Sequence, residues 1–286
     1  MKFPERIDLH MHSTVSDGTD QPAEIIGHAR DTGLELFSLS DHDAVKGCRI
    51  VLENLTESDP RFITGVEFSC KDEKGKYHIL GYGYAPDSAA INRLINKGHS
   101  IRVSKLGKRL ALLKKDFGIT FSREDIDSLY GMENPGKPHI AGLLVKDGYV
   151  QTKQEAFSRI LEHLEVVNEY LNPGEAIEGI LGADGIPVLA HPFYGDGDQL
   201  ILGREMDERL QYLIPMGLKG VEAYYSGFTD MMINQMLALA EQYDLYVTAG
   251  SDYHGKNKLV EMGNTNLEKV SNGSENLRRF LENVLK

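Results

Sequence analysis

The 286-residue sequence predicts an α/β protein, a βα barrel interrupted by a helical insertion. Three observations carry that expectation. Short apolar runs alternate with helical stretches from Ile7 onward, several runs are apolar at every position, and clusters of histidine and carboxylate begin where the runs stop. Strands apolar throughout suit a parallel sheet covered by helices. Chemistry gathered at C-terminal strand ends is where barrel enzymes place it.

Taken in order, strands are expected over residues 7–12, 36–40, 62–68, 78–82, 186–190, 220–223 and 246–250. In the first, Asp8, His10 and His12 are two residues apart, so alternation sets all three on one face. The second gives way to Ser40-Asp41-His42-Asp43, the fifth to His191-Pro192 and the last to Ser251-Asp252-Tyr253-His254. Residues 92–171 contain no expected strand. Within them the stretch 93–115 holds eight Lys or Arg and no Asp or Glu. Leu106, Leu110 and Leu113 mark an apolar helical stripe there, while Arg102, Lys105 and Arg109 fall on another face. The expected organisation is a barrel built from 1–91 and 172–286, with 92–171 a helical insertion capping the substrate. A solvated basic helix balancing an acidic body is the plainer reading of the same charges.

With 31 Lys plus Arg against 43 Asp plus Glu, the net charge of −12 argues against tracking along duplex nucleic acid. It leaves room for a small phosphorylated ligand, because bound divalent cations reverse the local field. The sequence shows no apolar run of membrane length and no apolar signal core in Met1-Lys2-Phe3-Pro4-Glu5-Arg6, so a soluble cytoplasmic protein without membrane partners is expected. Cys48 and Cys70 are too few for a disulfide framework and are expected reduced and buried.

The His/carboxylate clusters are the chemical content of the chain. Each alone has a plain structural reading. His10 and His12 form an HxH pair of a kind common without metal, and Asp17-Gly18 is a turn signal. Asp41 or Asp43 can cap a helix, and His191 can be a satisfied imidazole at a strand end. The plain reading must hold separately for every cluster, and jointly they describe a multinuclear site. Imidazole with carboxylate suits Zn, Mn or Fe, and no cysteine stands at a ligand spacing. Glu67, expected to end its strand, is a carboxylate able to bridge two cations, and His78 opens the strand after it. His28, His99 and His163 lie in helical stretches away from the clusters and are expected to bind no metal. Pro138 sets His139 at a helix start, where free N–H groups can meet an anion. Metal-assisted hydrolysis is the expected chemistry.

In this order of motifs the chain resembles the PHP (polymerase and histidinol phosphatase) family. It is most similar to the branch of phosphoesterases acting on nucleoside 3′,5′-bisphosphates and on the 5′ ends of short RNA. The resemblance runs from Asp8-Leu9-His10-Met11-His12-Ser13 to Ser251-Asp252-Tyr253-His254-Gly255 and includes Lys137-Pro138-His139-Ile140-Ala141. It implies a distorted seven-stranded βα (TIM-like) barrel holding two or three divalent ions, Mn, Fe or Zn. Carried over, His10, His12, Glu67 and Asp252 hold one ion, Glu67 bridges to a second held with His78 and His191, and Asp17, His42 and His254 hold a third. Arg102, Lys137 and His139 match substrate contacts. Lys137 stands where this branch usually has arginine, which keeps the charge but loses the bidentate fork.

The implied reaction is in-line attack of a metal-bridging hydroxide on a phosphate ester of a small nucleotide or short oligoribonucleotide, with Glu67, Asp43 and Arg102 as catalytic groups. Asp43 or a metal-polarised water would protonate the leaving oxygen. Histidinol phosphate phosphatase and a non-catalytic metal- or nucleotide-binding module are the alternatives. A further expectation concerns Tyr224, Tyr225 and Phe228, which read either as an aromatic wall for a base or as core and rim packing.

Overall fold

A computed structural model describes residues 3–166, 169–194, 200–269 and 275–286. Seven strands lie in sequential order in one sheet: β1 (Ile7–Asp8), β2 (Leu36–Leu39), β3 (Arg61–Asp72), β4 (Gly75–Tyr82), β5 (Ile186–Leu189), β6 (Gly220–Tyr225) and β7 (Tyr246–Gly250). Neighbours run parallel except on both sides of β4. The all-parallel expectation therefore fails at β4, for a reason of chain length. Only Glu73 and Lys74 separate β3 from β4, with Asp72 opposite Gly75, and a parallel crossover takes a dozen or more residues. The reversal has a functional consequence: His78, early in β4, lies beside the C-terminal end of β5, where the Ala190 N–H donates to the His78 carbonyl at 2.9 Å.

The sheet curls until its edges meet. Leu9 N–H donates to the Ala249 carbonyl, Asp252 N–H to that of His10, and His12 N–H to that of Tyr253. Regular strand geometry in β1 stops at Asp8, because the Asp8 carboxylate accepts from the backbone N–H groups of Ser251 (3.0 Å) and Gly263 (2.7 Å). Asp8 is thus tied to backbone on the far side of the seam, and the barrel is distorted there.

The helices are α1 (Pro22–Asp31), α2 (Lys46–Asn54), α3 (Ala89–Phe117), α4 (Arg123–Tyr130), α5 (Lys137–Lys146), α6 (Lys153–Ala156), α7 (Pro173–Leu181), α8 (Gly203–Leu213), α9 (Asp230–Gln242) and α10 (Glu275–Val284). The main core joins Val66, Phe68, Ile79 and Leu80 of the sheet with Ile177 and Ile180 of α7 and Met206 and Leu210 of α8. A second apolar cluster joins Leu106 and Leu113 of α3 to Leu129, Ile140, Leu144 and Leu161. α3 takes part in both, since Ile91 and Leu94 near its start belong to the main core. Ser88 caps it by accepting from Ala90 N–H, and Gly118 ends it with a left-handed φ of 68°.

Lys114 and Lys115 on α3 are solvated, but Lys105 and Arg109 are buried, so the reading of a wholly solvated basic helix is corrected at those two positions. Cys48 and Cys70 are both buried and free, and burial pushes the Cys48 thiol up to about 12. Among the described residues no helix is long and apolar enough to cross a membrane.

Candidate metal centre

Glu67 is the hub of the site. It lies inside β3 rather than at its end, because the hairpin carries the strand on to Asp72. Its two oxygens face different histidines. Oε2 is 3.2 Å from His10 Nε2, His12 Nε2 and His42 Nδ1; Oε1 is 2.8 Å from His78 Nδ1 and 3.1 Å from His191 Nε2. Asp252 Oδ1 lies 3.4 Å from His12 Nε2 and 3.7 Å from His10 Nε2, and His254 Nε2 is 3.3 Å from Asp17 Oδ1. All nine predicted ligands thus come together at one end of the barrel. Three overlapping groups have donor atoms close enough to share an ion: His10 with His12 and Glu67; His42 with Glu67 and His78; and His12, Asp17, His42 and His254.

The fit to cations is tested by the donors themselves. Among the described residues, His10 Nε2, His12 Nε2, Asp17 Oδ1 and His42 Nδ1 are buried without a hydrogen-bond partner. Buried polar atoms are nearly always satisfied, so convergent unsatisfied nitrogens and carboxylates are what a divalent ion requires. Charges in the cluster are strongly linked. Burial opposes ionisation of Glu67, but His42, His10 and His78 outweigh it and hold the carboxyl well below its ordinary range. Burial likewise opposes a charge on His12, and Asp252, Glu67 and Asp17 outweigh it, placing its pKa at about 9.

Local structure explains how the candidate ligands are held. Asp41 does not cap α2, whose N-cap is Val45 with no side-chain cap. Instead its carboxylate accepts from Ser13 N–H (2.8 Å), Ser13 Oγ (2.8 Å) and Ser16 Oγ (2.6 Å), tying the Asp17 turn to the end of β2. Glu222, from the middle of β6, was not singled out by sequence. It accepts from His10 Nδ1 at 2.9 Å and from His191 N–H at 2.8 Å. The first bond makes Nδ1 the donor and leaves Nε2 as the free ligand atom. The available signal was a lone carboxylate inside the apolar run Gly220-Val221-Glu222-Ala223-Tyr224-Tyr225. Asp43 (φ 49°), His191 (φ 27°) and Asp252 (φ 61°) hold left-handed backbones uncommon for non-glycine residues, and sequence offers no sign of this strain.

Two cavities open onto the cluster and share His78, Pro138, His191 and Tyr194. One, of about 570 Å³, has Tyr225 and Phe157 among its walls. Tyr225 Oη donates to Asp252 Oδ2 at 2.7 Å, whereas Tyr224 and Phe228 are core. The other, of about 380 Å³, is basic, with Lys76, Arg102, Lys105, Arg109 and Lys137 in its walls. Arg102 donates to Asp43 Oδ2 at 2.7 Å and to Ser69 Oγ at 3.0 Å, while Asp43 Oδ1 accepts from Ser69 N–H. Asn134 donates to the His42 carbonyl, so the segment before α5 touches the ligand loop directly.

His139 sits in the first turn of α5 as expected, but its Nδ1 accepts from Gly136 N–H at 3.1 Å and the Ser16 backbone also engages the ring. With these contacts in place the ring is engaged within the protein. The three control histidines lie elsewhere: His28 beside Asp20, His99 on the Glu133 carbonyl and His163 on the Ser158 carbonyl.

A sequence profile of the PHP domain matches residues 8–171. A 5′-3′ exoribonuclease of Haemophilus influenzae is 28% identical over 262 residues, covering 91% of this chain and 93% of that protein. A 3′,5′-nucleoside bisphosphate phosphatase of Chromobacterium violaceum is 28% identical over 258 residues, 87% of each chain. A Bifidobacterium adolescentis structure assigned as a metal-dependent phosphoesterase superimposes with a TM-score of 0.81 at 28% identity, covering 97% of this chain and 96% of the other.

Proposed function

The chain belongs to the PHP domain family and is a metal-dependent hydrolase of phosphate esters, and from that premise we propose that its substrate is a small nucleotide with a second phosphate. A nucleoside 3′,5′-bisphosphate or the 5′ end of a short oligoribonucleotide fits this description. The observation that carries the reading is the junction of the His/carboxylate cluster with a chamber walled by five basic side chains. Histidinol phosphate has one phosphate and offers that chamber nothing to bind. The names of the two relatives support the same class of substrate.

Two or three divalent ions, Mn, Fe or Zn, would be held by the nine ligands His10, His12, Asp17, His42, Glu67, His78, His191, Asp252 and His254. When bound they lower the pKa of coordinated water toward neutrality and offset phosphate charge. The protein's own residues do the rest. Glu67, with one oxygen toward each group of histidines, would be the carboxylate shared between them in holding the ions. Glu222 keeps His10 in the ligating tautomer. Arg102 and Lys137 orient and neutralise phosphate oxygens from the chamber side. His139 supports that wall by bonding Gly136. Asp43 accepts on both oxygens, so it can pass a proton to the leaving oxygen only once Arg102 turns from it to substrate phosphate. Residues 92–171 act as the substrate cap, since Arg102 and Lys137 both come from them.

The test, on Mn-loaded protein, is phosphate release from adenosine 3′,5′-bisphosphate, AMP and histidinol phosphate, and mononucleotide release from a 5′-phosphorylated dinucleotide. Turnover of the bisphosphate or dinucleotide well above AMP is expected. Preference for histidinol phosphate, or equal rates on AMP and the bisphosphate, would overturn the substrate assignment.

A further inference from the structure

Arg102, Lys105 and Arg109 recur at i, i+3 and i+7 on α3, so one helix face carries all three into the basic chamber. Their circumstances differ. Arg102 has a carboxylate partner in Asp43. Lys105 and Arg109 are only 7% and 8% exposed and have no carboxylate partner among the described residues. Lys105 Nζ lies 3.3 Å from the centroid of the Tyr170 ring, and Arg109 Nε is buried with no hydrogen-bond partner among the described residues. One aromatic face repays little of the cost of burying two cations. Burial, with Arg102 and Arg109 adding repulsion that the more distant Asp43 offsets only in part, pushes Lys105 down to about 7; burial also lowers Arg109. These are side chains arranged for an anion that the fold itself does not supply.

We propose that Lys105, Arg109 and Tyr170, faced by Lys137, form an anion subsite for the non-scissile phosphate, and that this subsite sets selectivity for a bisphosphate over a monophosphate. The inference rests on the nucleotide reading above and moves the second-phosphate contact from the Arg102–His139 pair to a deeper wall. Arg102, bonded to Asp43 and Ser69 beside the cluster, is within reach of the scissile phosphate, and His139 is bonded to Gly136 and engaged by Ser16. Seven residues of helix rise carry Arg109 about 10 Å further along α3 than Arg102. That separation leaves room for a ribose between one phosphate at the cluster and another at the subsite. A phosphate dianion suits the wall better than a carboxylate, because it can accept from lysine and guanidinium donors on several sides at once.

The test uses full-length wild type, Lys105→Met, Arg109→Met and Arg109→Lys. Adenosine 3′,5′-bisphosphate should raise the melting temperature of wild type more than AMP does, and the two methionine variants should lose that difference. Their KM for the bisphosphate should rise by about 30-fold or more, the scale of losing a charge-assisted contact, with kcat within about threefold. Arg109→Lys should recover part of the loss. Ligand-free Arg109→Met should melt no lower than wild type, since it removes an unpaired buried charge; if it does not fold, Lys105→Met carries the same comparison. Wild-type selectivity retained by the methionine variants would overturn this subsite and leave the nucleotide reading standing. A wild type that does not distinguish the bisphosphate from AMP would remove both.

Discussion

Glu67 is one carboxylate set among five imidazoles, with a burial cost that only positive charge can offset. Glu67→Gln keeps the shape and removes the charge. Metal content measured by elemental analysis should fall together with activity, by about 100-fold or more in affinity, while the circular dichroism spectrum is retained. Full occupancy and turnover in that variant would end the hub assignment. Glu222 acts at one remove, through His10 Nδ1 and the His191 backbone. For Glu222→Gln we expect a loss of about 10–100-fold in metal affinity at pH 7, the usual effect of removing a ligand's orienting partner. Titration with Mn should show it, and unchanged affinity would mean that packing alone sets the His10 tautomer. The candidate ligands were legible as residue types, several of them at strand ends. Glu222 was not, because an inward carboxylate in an apolar strand differs from its neighbours only through the partner it meets across the barrel.

At the scale of elements, β4 and the seam between β1 and β7 decide whether the ligands converge. The β3–β4 hairpin sends β4 backwards, so a histidine at its start joins residues found at the ends of other strands. Gly250 ends β7 against β1, and a Cβ there would strike His10 Cβ and Glu222 Oε1. Gly250→Ala should therefore destabilise the metal-free protein by about 1–3 kcal/mol through overpacking and weaken metal binding as well. A thermal melt in chelator checks the first part; an unchanged melting temperature would show that the seam can relax. α3 serves both apolar cores and delivers Arg102 to Asp43. Arg102→Ala should accordingly raise KM while leaving metal content intact, and loss of metal in this variant would show that the helix supports the ligands rather than the substrate.

For the whole molecule, the barrel end is an assembly of like and unlike charges drawn from residues 10 to 254. Ions bound there stabilise the folded chain by mass action, about 2.7 kcal/mol when free metal is 100 times its dissociation constant. Adding a chelator to metal-loaded protein should lower the melting temperature by about 5 °C or more for a chain of this size. Equal melting temperatures with and without chelator would count against the cluster as a metal site. The overall net charge of −12 is compatible with a basic chamber, because the Lys and Arg side chains that line it are concentrated on α3, β4 and the start of α5.

Sequence by itself determined the succession of strands, the helical character of 92–171 and the clusters of His, Asp and Glu from which candidate ligands are drawn, because apolar periodicity and the placement of residue types along it are local properties of the chain. Tertiary structure alone decided three further matters. It set Glu222 across the barrel from His10, brought Asn134 to the His42 carbonyl, and buried Lys105 and Arg109 beside Tyr170 with no carboxylate ion pair among the described residues. Each depends on which distant groups end up within hydrogen-bonding or Coulombic reach. A linear pattern specifies which faces a helix or strand has, and only packing specifies what each face meets.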